Sequence, residues 1–423
     1  MNSPRNILFG VAAVVLLISF IASAQAPPPA PPGTPAAQPV VVRMQLNLGP
    51  VSPEILTDHR VTIRLSAPKA TEVILNGDWE NGRNVAMTKD SEGIWSVTVG
   101  PLAPEMWTYT LSVDGVRTLD PQNLNTIRVD RGRYSNVLMI PGPGSALYQL
   151  NNVPHGTISM VWYPSPSLKM EARRLYVYTP PGYETSNEKY PVLYLLHGSG
   201  GGEDSWTRMG RAEMIMDSLI GQGKARPMLV VMPNGNRNQA VVAPGYTLGD
   251  NPASGLPSPP IPTPGATNAP PRWDPRLDAF PDSIIKDIIP FVERTYRVIP
   301  GKDNRALAGL SMGGMQAVRV GFPNTDKFAY LGIFSAGGGS MAREQLVPQS
   351  GTFFEKPELT NKQLKLLYIA IGAADTRLYA GTQSLLALCK ERGIKYEYRE
   401  SSGGHTWANW RIYLSEFVPK LFR

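Results

Sequence analysis

The chain has 423 residues, 42% of them hydrophobic and 18% charged, a composition that belongs to folded proteins and excludes an intrinsically disordered chain; the length predicts two globular units. The formal charge of +7 is spread along the sequence with no Lys/Arg block and no interleaved aromatics, so no nucleic-acid partner is expected. One cysteine, Cys389, excludes an internal disulfide and leaves stability to the core.

The first residues, "MNSPRN", precede the apolar run "ILFGVAAVVLLISFIA" and the small residues Ala22 and Ala24. This is the pattern of a signal peptide over residues 1–24, cleaved after Ala24. It predicts a secreted or periplasmic protein with no stable membrane anchor after cleavage, and the lack of a cysteine at the cut excludes lipid attachment. Residues 25–39, including "APPPAPPGTPAAQP", are an extended Pro/Ala linker.

Over residues 40–145 short alternating segments follow one another: "HRVTIRLSA", "TEVILNG", "GIWSVTVG", "WTYTLSVDG" and "SNVLMI". Turn residues separate them at short intervals, which predicts a small antiparallel, immunoglobulin-like sandwich able to stand as an independent unit. Trp95, Val97 and Val99 alternate, placing Trp95 in its core, whereas Trp79 falls in a turn, where packing is the first expectation and contact with a glycan or the neighbouring domain the alternative.

From residue 150 to 423 the texture changes. "YPVLYLLHG", "PMLVVMPNG", "RALAGL" and "KLLYIAIG" are almost wholly apolar, as strands covered on both faces must be, and "ARRLYVYTP" joins them. Helical stretches alternate with them: "AEMIMDSLIGQ", "DSIIKDIIPFVERTY", "MGGMQAVRVGF" and "TQSLLALCKERG". The alternation predicts an α/β domain, a mainly parallel sheet flanked by helices on both sides. Val241–Pro275 interrupts it with a Pro/Gly/Ser/Asn-rich insertion, long for a connection and expected to be a lid, a pocket wall or an excursion.

In "GLSMG" a strand ends at Leu310 and a helix begins near Met312, the strand–turn–helix setting of a G-x-S-x-G nucleophile elbow. Gly309 and Gly313 let strand and helix approach, and the Met312 amide, first in the helix, is free to donate to an oxyanion. Of the four histidines, only His405 follows Ser311, as the serine–acid–histidine order of this fold requires. Two aspartates follow Ser311: Asp326 after a helix, and Asp375 just beyond the carboxyl end of a buried strand, where sites in open α/β sheets form. Asp375 is the expected orienting acid and Glu400 the weaker alternative. "LLHGSGGGEDSW" is a glycine-rich turn after a buried strand that aims the Ser199 amide, with Gly200 next, at the same oxyanion; His197 braces it. Trp206 and Trp407 flank the proposed site and are expected to stack on a phenolic acyl group. No metal-ligand spacing, P-loop or dinucleotide fingerprint occurs, so neither a metal nor a cofactor is expected.

Together "YPVLYLLHGSGGGEDSW", "DIIPFVERTYRV", "RALAGLSMGG" and "GGHTWANWR" resemble the α/β-hydrolase esterases of the feruloyl esterase and esterase D-like group, which is carbohydrate esterase family 1-like. The resemblance runs from about Thr157 to Arg423 and implies an α/β-hydrolase fold, the triad Ser311, Asp375 and His405, and oxyanion donors at Met312 and Ser199. "LNGDWENGRNVAMTKDSEGIWSVTVGPLAPEMWTYTLSVDG" resembles the early-set, carbohydrate-module-like domain that precedes many such esterases. What the resemblance implies is an exported serine esterase acting on feruloyl esters of plant cell-wall xylan, its partner a hemicellulose-linked ester, with carbohydrate contact through the N-terminal domain. Acetyl xylan, a siderophore ester and acyl transfer to a carbohydrate are the competing chemistries. A noncatalytic glycan-binding protein on a hydrolase scaffold is the reading from another class.

Overall fold

A computed structural model describes residues 49–129, 133–236, 279–336 and 343–423. The signal peptide, the linker and the Val241–Pro275 insertion lie outside the described residues.

The N-terminal part of the described chain, through β10, is all β. β1 (Glu54–Ile55), β2 (Val61–Ser66), β3 (Val73–Gly77), β4 (Val85–Ala86), β5 (Thr88–Lys89) and β6 (Ile94–Val99) are followed by β7 (Met106–Val113), β8 (Val116–Thr118), β9 (Thr126–Val129) and β10 (Arg133–Met139). They form a four-stranded sheet in the order β1-β2-β6-β5 and a six-stranded sheet ordered β4-β3-β7-β10-β9, with β8 on β7. The period-2 alternation puts Val61, Ile63, Leu75, Leu111 and Leu138 between the sheets, all essentially inaccessible. Trp95 is buried there as its alternation predicts. Trp79 is buried as well, at 7% exposure, and packs on Gly77 and Gly82, where an added Cβ would collide with its indole. The turn position did not make it a surface residue.

The third sheet has eight strands in the order β11-β12-β14-β13-β15-β16-β17-β18. β11 (Thr157–Ser165) and β12 (Met170–Thr179) run antiparallel. β13 (Val192–Leu196), β14 (Leu229–Pro233), β15 (Arg305–Leu310), β16 (Tyr330–Phe334), β17 (Leu366–Gly372) and β18 (Glu397–Ser401) are parallel. The five strands β13 to β17, buried throughout but for Arg305 at the start of β15, carry the apolar runs that two covered faces demand. Helices cover both: α1 (Ser205–Arg208), α2 (Ala212–Gly221), α3 (Phe280–Ser283), α4 (Ile289–Thr295), α5 (Met312–Gly321), α6 (Arg343–Gln349), α7 (Pro357–Gln363), α8 (Tyr379–Glu391) and α9 (Trp407–Phe417). A π-helical turn, Ile284–Ile288, joins α3 to α4. Pro290 has no N–H to give to the Lys286 carbonyl, and the wider turn absorbs that loss. Cys389 is buried and free, and burial pushes its thiol up to about 12. Among the described residues no helix is long and apolar enough to cross a membrane.

The sandwich does not stand apart from the α/β layer as an independent unit would. Met106 and Tyr148 belong to the same buried cluster as Trp206, Met216, Trp410 and Phe417, with Ile127, Val129 and Met139 packed at its edge. Across this joint Arg411, on α9 and 2% exposed, donates to Glu105 Oε1 from Nη2 at 2.8 Å and from Nε at 3.1 Å. It also donates to the Met106 carbonyl at 3.0 Å. Removing one partner of such a buried pair costs about 3–5 kcal/mol, because the other charge stays behind in the core.

Candidate active site

Three strand ends on the carboxyl edge of the large sheet bring the predicted side chains together. Ser311 follows β15 at φ 51°, ψ −116°, a backbone conformation that non-glycine residues hold only under strain from their surroundings. Its amide donates to the Phe334 carbonyl at 2.9 Å and its carbonyl accepts from Met315 at 3.0 Å, locking the turn between sheet and helix. The flanking glycines are required by close approach. A Cβ on Gly309 would lie 2.5 Å from the Gly313 backbone, and one on Gly313 would lie 2.5 Å from the His197 carbonyl oxygen.

His405 sits on the loop after β18. Its Nε2 is 2.9 Å from Ser311 Oγ and its Nδ1 is 2.7 Å from Asp375 Oδ2. The network fixes the neutral tautomer: Nδ1–H donates to the carboxylate, and Nε2 accepts from the hydroxyl. The acid-bearing and base-bearing loops are laced together by hydrogen bonds from the Ala373 amide to the Ser401 carbonyl (2.8 Å) and from the Ala374 amide to the Gly403 carbonyl (2.9 Å). The Asp375 side chain is fully buried and its Oδ1 accepts from the Leu378 amide at 3.2 Å. The two alternative acids stay away from this chain of contacts. Asp326 pairs with Lys327, and Glu400 Oε2 accepts from the Tyr398 and Tyr379 hydroxyls at 2.6 and 2.8 Å.

Met312 is the first residue of α5, where helix geometry leaves the amide without an intrahelical acceptor. The glycine-rich loop lies beside it, since a Cβ on Gly198 would come within 3.3 Å of Ser311 Cβ. The amides of Gly201 and Gly202 are spent inside the loop, on the Gly198 carbonyl and on Ser205 Oγ. Among the described residues none accepts from Ser199 or Gly200, and Gly200 holds φ +83°. Both therefore remain candidates as oxyanion donors. His197 braces the loop: Nδ1–H donates to the Gly198 carbonyl at 2.7 Å and Nε2 accepts from the Gly235 amide at 2.8 Å.

The two tryptophans do not take the place expected of them. Trp206 is 1% exposed, and its indole N–H donates to the Leu196 carbonyl at 2.9 Å. Trp407 is 9% exposed and stands edge-on to Trp206, with ring centroids 5.3 Å apart. Both are core side chains, too deep to offer a ring face to a substrate. Among the described residues the indole that touches the site is Trp410, edge-on to the His405 ring at 4.9 Å and anchored by donating to Ser335 Oγ at 3.1 Å. The aromatic pair in "HTWANW" signalled it, but sequence proximity favoured the wrong member.

Burial depresses the His197 imidazole from its ordinary 6.5 to about 4. The unfolded chain therefore binds more protons between those values, and stability present above pH 6.5 drains away as the pH falls toward 4. We expect wild type to lose about 3 kcal/mol more than His197→Gln between pH 7 and pH 4, measured by denaturant titration. Parallel stability curves for the two proteins would mean that His197 titrates like an exposed imidazole.

Comparison with known proteins adds the following. Residues 165–421 match the protein-family model described as "Putative esterase". An endo-1,4-beta-xylanase/feruloyl esterase of Xylanibacter ruminicola is 29% identical over 379 residues, which are 88% of this chain and 46% of that protein. An esterase of Mycobacterium tuberculosis is 24% identical over 286 residues, 58% of this chain and 53% of its own length. The chain thus spans about half the length of these curated relatives. A ferulic acid esterase from Anaeromyces mucronatus, solved with ferulic acid, superposes with a TM-score of 0.51 at 22% identity, over 66% of this chain and 96% of that one. An enterobactin esterase from Shigella flexneri superposes with a TM-score of 0.59 at 17% identity, over 86% and 92%. At these identities the likeness is one of fold, the α/β-hydrolase fold.

Proposed function

The chain belongs to the Esterase family, and from that premise we propose that it is an exported serine carboxylic-ester hydrolase that cleaves feruloyl (hydroxycinnamoyl) esters of plant cell-wall xylan. The observation that carries the chemistry is the unbroken sequence of contacts Ser311–His405–Asp375. His405 takes the Ser311 proton as Oγ attacks the ester carbonyl, Asp375 stabilises the imidazolium, and the Met312 and Ser199 amides, with Gly200 beside them, receive the oxyanion. Collapse expels the alcohol with the proton held by His405 and leaves an acyl-serine. Water, deprotonated by the same imidazole, then releases the acid.

The substrate rests on the Xylanibacter ruminicola relative, whose similarity reaches beyond the family-matched residues to 88% of this chain. Burial of Trp206 and Trp407 removes the aromatic-wall argument for a phenolic acyl group, so it does not contribute. Export rests on the signal-peptide pattern of residues 1–24.

The deciding experiment is a substrate panel with Ser311→Ala as blank. Methyl ferulate and feruloyl-arabinose should show kcat/KM at least about tenfold above acetylated xylan or a triscatecholate siderophore. Preference for acetyl would keep the enzyme class and discard the acyl group. Preference for the siderophore would overturn the cell-wall reading, and absence of both turnover and an acyl burst with an activated ester would leave only glycan binding.

A further inference from the structure

The glycine-rich loop is clamped at both ends, and one clamp comes from outside the α/β layer. At its start His197 is tied to Gly235. Just past its end, Glu203 accepts from Asn234 Nδ2 at 2.7 Å and from Arg174 Nε, and Asn236 holds the Gly201 carbonyl at 2.7 Å. Asp204 is different. It occupies the N-cap of α1, yet its carboxylate makes no capping hydrogen bond, contrary to the usual employment of an aspartate there. Both oxygens turn to guanidinium groups. Oδ2 accepts from Arg208 Nε at 2.7 Å, and Oδ1 accepts from Nη2 of Arg128, a residue of sandwich strand β9. Asp204 is 1% exposed; the Arg128 side chain is 12% exposed and that of Arg208 is 44%. β9 lies against α1, and its Ile127 and Val129 pack on the shared core beside it.

We propose that the N-terminal sandwich holds the glycine-rich loop in its productive position through Arg128, which makes Arg128 a positioning residue for ester cleavage. The inference rests on the esterase reading given above. The physical reason is the loop's composition: Gly198, Gly200, Gly201 and Gly202 carry no side chains to pack and have unusual backbone freedom, so beyond the hydrogen bonds at Gly201 and Gly202 the loop depends on how its ends are held. Without Arg128 a buried carboxylate keeps one half-exposed partner. Its least costly relief is to turn toward water, which drags the loop and the Ser199 and Gly200 amides with it. Donors aimed at a developing oxyanion act through position, and displacement of about 1 Å lowers rate up to about 10²-fold.

The test uses the full chain with Arg128→Ala, Arg128→Lys and, as a matched control, Arg60→Ala, which removes a sandwich guanidinium paired only with Asp58 at the surface. Hydrogen–deuterium exchange of the peptide spanning residues 198–204 should quicken at least about tenfold in Arg128→Ala, less in Arg128→Lys, and not at all in Arg60→Ala. On a soluble activated ester kcat should fall about 10–100-fold in Arg128→Ala with KM within about twofold. Unchanged loop exchange in Arg128→Ala, or a lowered Tm with kcat retained, overturns the proposal; if that variant fails to fold, Arg128→Lys carries the same readings. A wild type inert toward every ester would sink the esterase reading alone, because the exchange measurement does not depend on turnover.

Discussion

Ser311→Ala should lower kcat on any cleaved ester by at least about 10³ while leaving the fold intact. One oxygen leaves a side chain at the mouth of a turn, and the contacts that build that turn are made by the backbone of Ser311 and its glycine neighbours. Alanine has to hold the same φ of 51°, so the strain stays and Tm should hardly move. Substrate affinity should persist, because the oxyanion amides and the surrounding core are untouched. Turnover near the wild-type rate in a purified, folded variant would remove Ser311 from the mechanism and with it the whole assignment.

Asp375→Asn is expected to cost about 10⁴ in kcat. The amide can occupy the same space, but it offers His405 Nδ1 either an N–H facing an N–H or a carbonyl without the charge that stabilises the imidazolium. The defect should therefore fall on kcat with KM little changed. Asp326→Asn and Glu400→Gln should stay within about twofold of wild type, since Asp326 pairs with Lys327 and Glu400 is engaged by two tyrosine hydroxyls. A large loss in Glu400→Gln with activity retained in Asp375→Asn would move the orienting carboxylate to the end of β18.

The sequence announced most of this site, for reasons that are themselves physical. Buried parallel strands must be apolar on both faces, so β13, β14, β15 and β17 stood out, and the residues just past their carboxyl ends could be read off as site positions. β16, "YLGIF", is equally buried, but a glycine interrupts its apolar run and more glycines follow it, where a strand and a helix turn look alike. β18, "EYRES", is an edge strand with little apolar pattern, so only its end at Glu400 could be inferred and its pairing beneath His405 could not. Tryptophan burial was misjudged at Trp206 and Trp407 for one reason: chain position near a site says nothing about which neighbours close over a ring. The ion pairs Arg411–Glu105 and Arg128–Asp204 join residues far apart in sequence, and local composition carries no trace of such partners.

The buried Arg411–Glu105 pair and the cluster around it also bear on how this architecture can be inherited or engineered. A sandwich grafted from another esterase would bring its own rim, and unless it carried a carboxylate at the place of Glu105 it would seal Arg411 into the joint with its charge unanswered. The reverse graft would strand Glu105. Recombination at the segment between the two layers therefore succeeds only when both sides of the seam travel together, and the seam includes residues 306 positions apart. The sandwich is co-adapted with the α/β layer, and a library that shuffled it as a cassette would leave mismatched members with a buried charge unanswered.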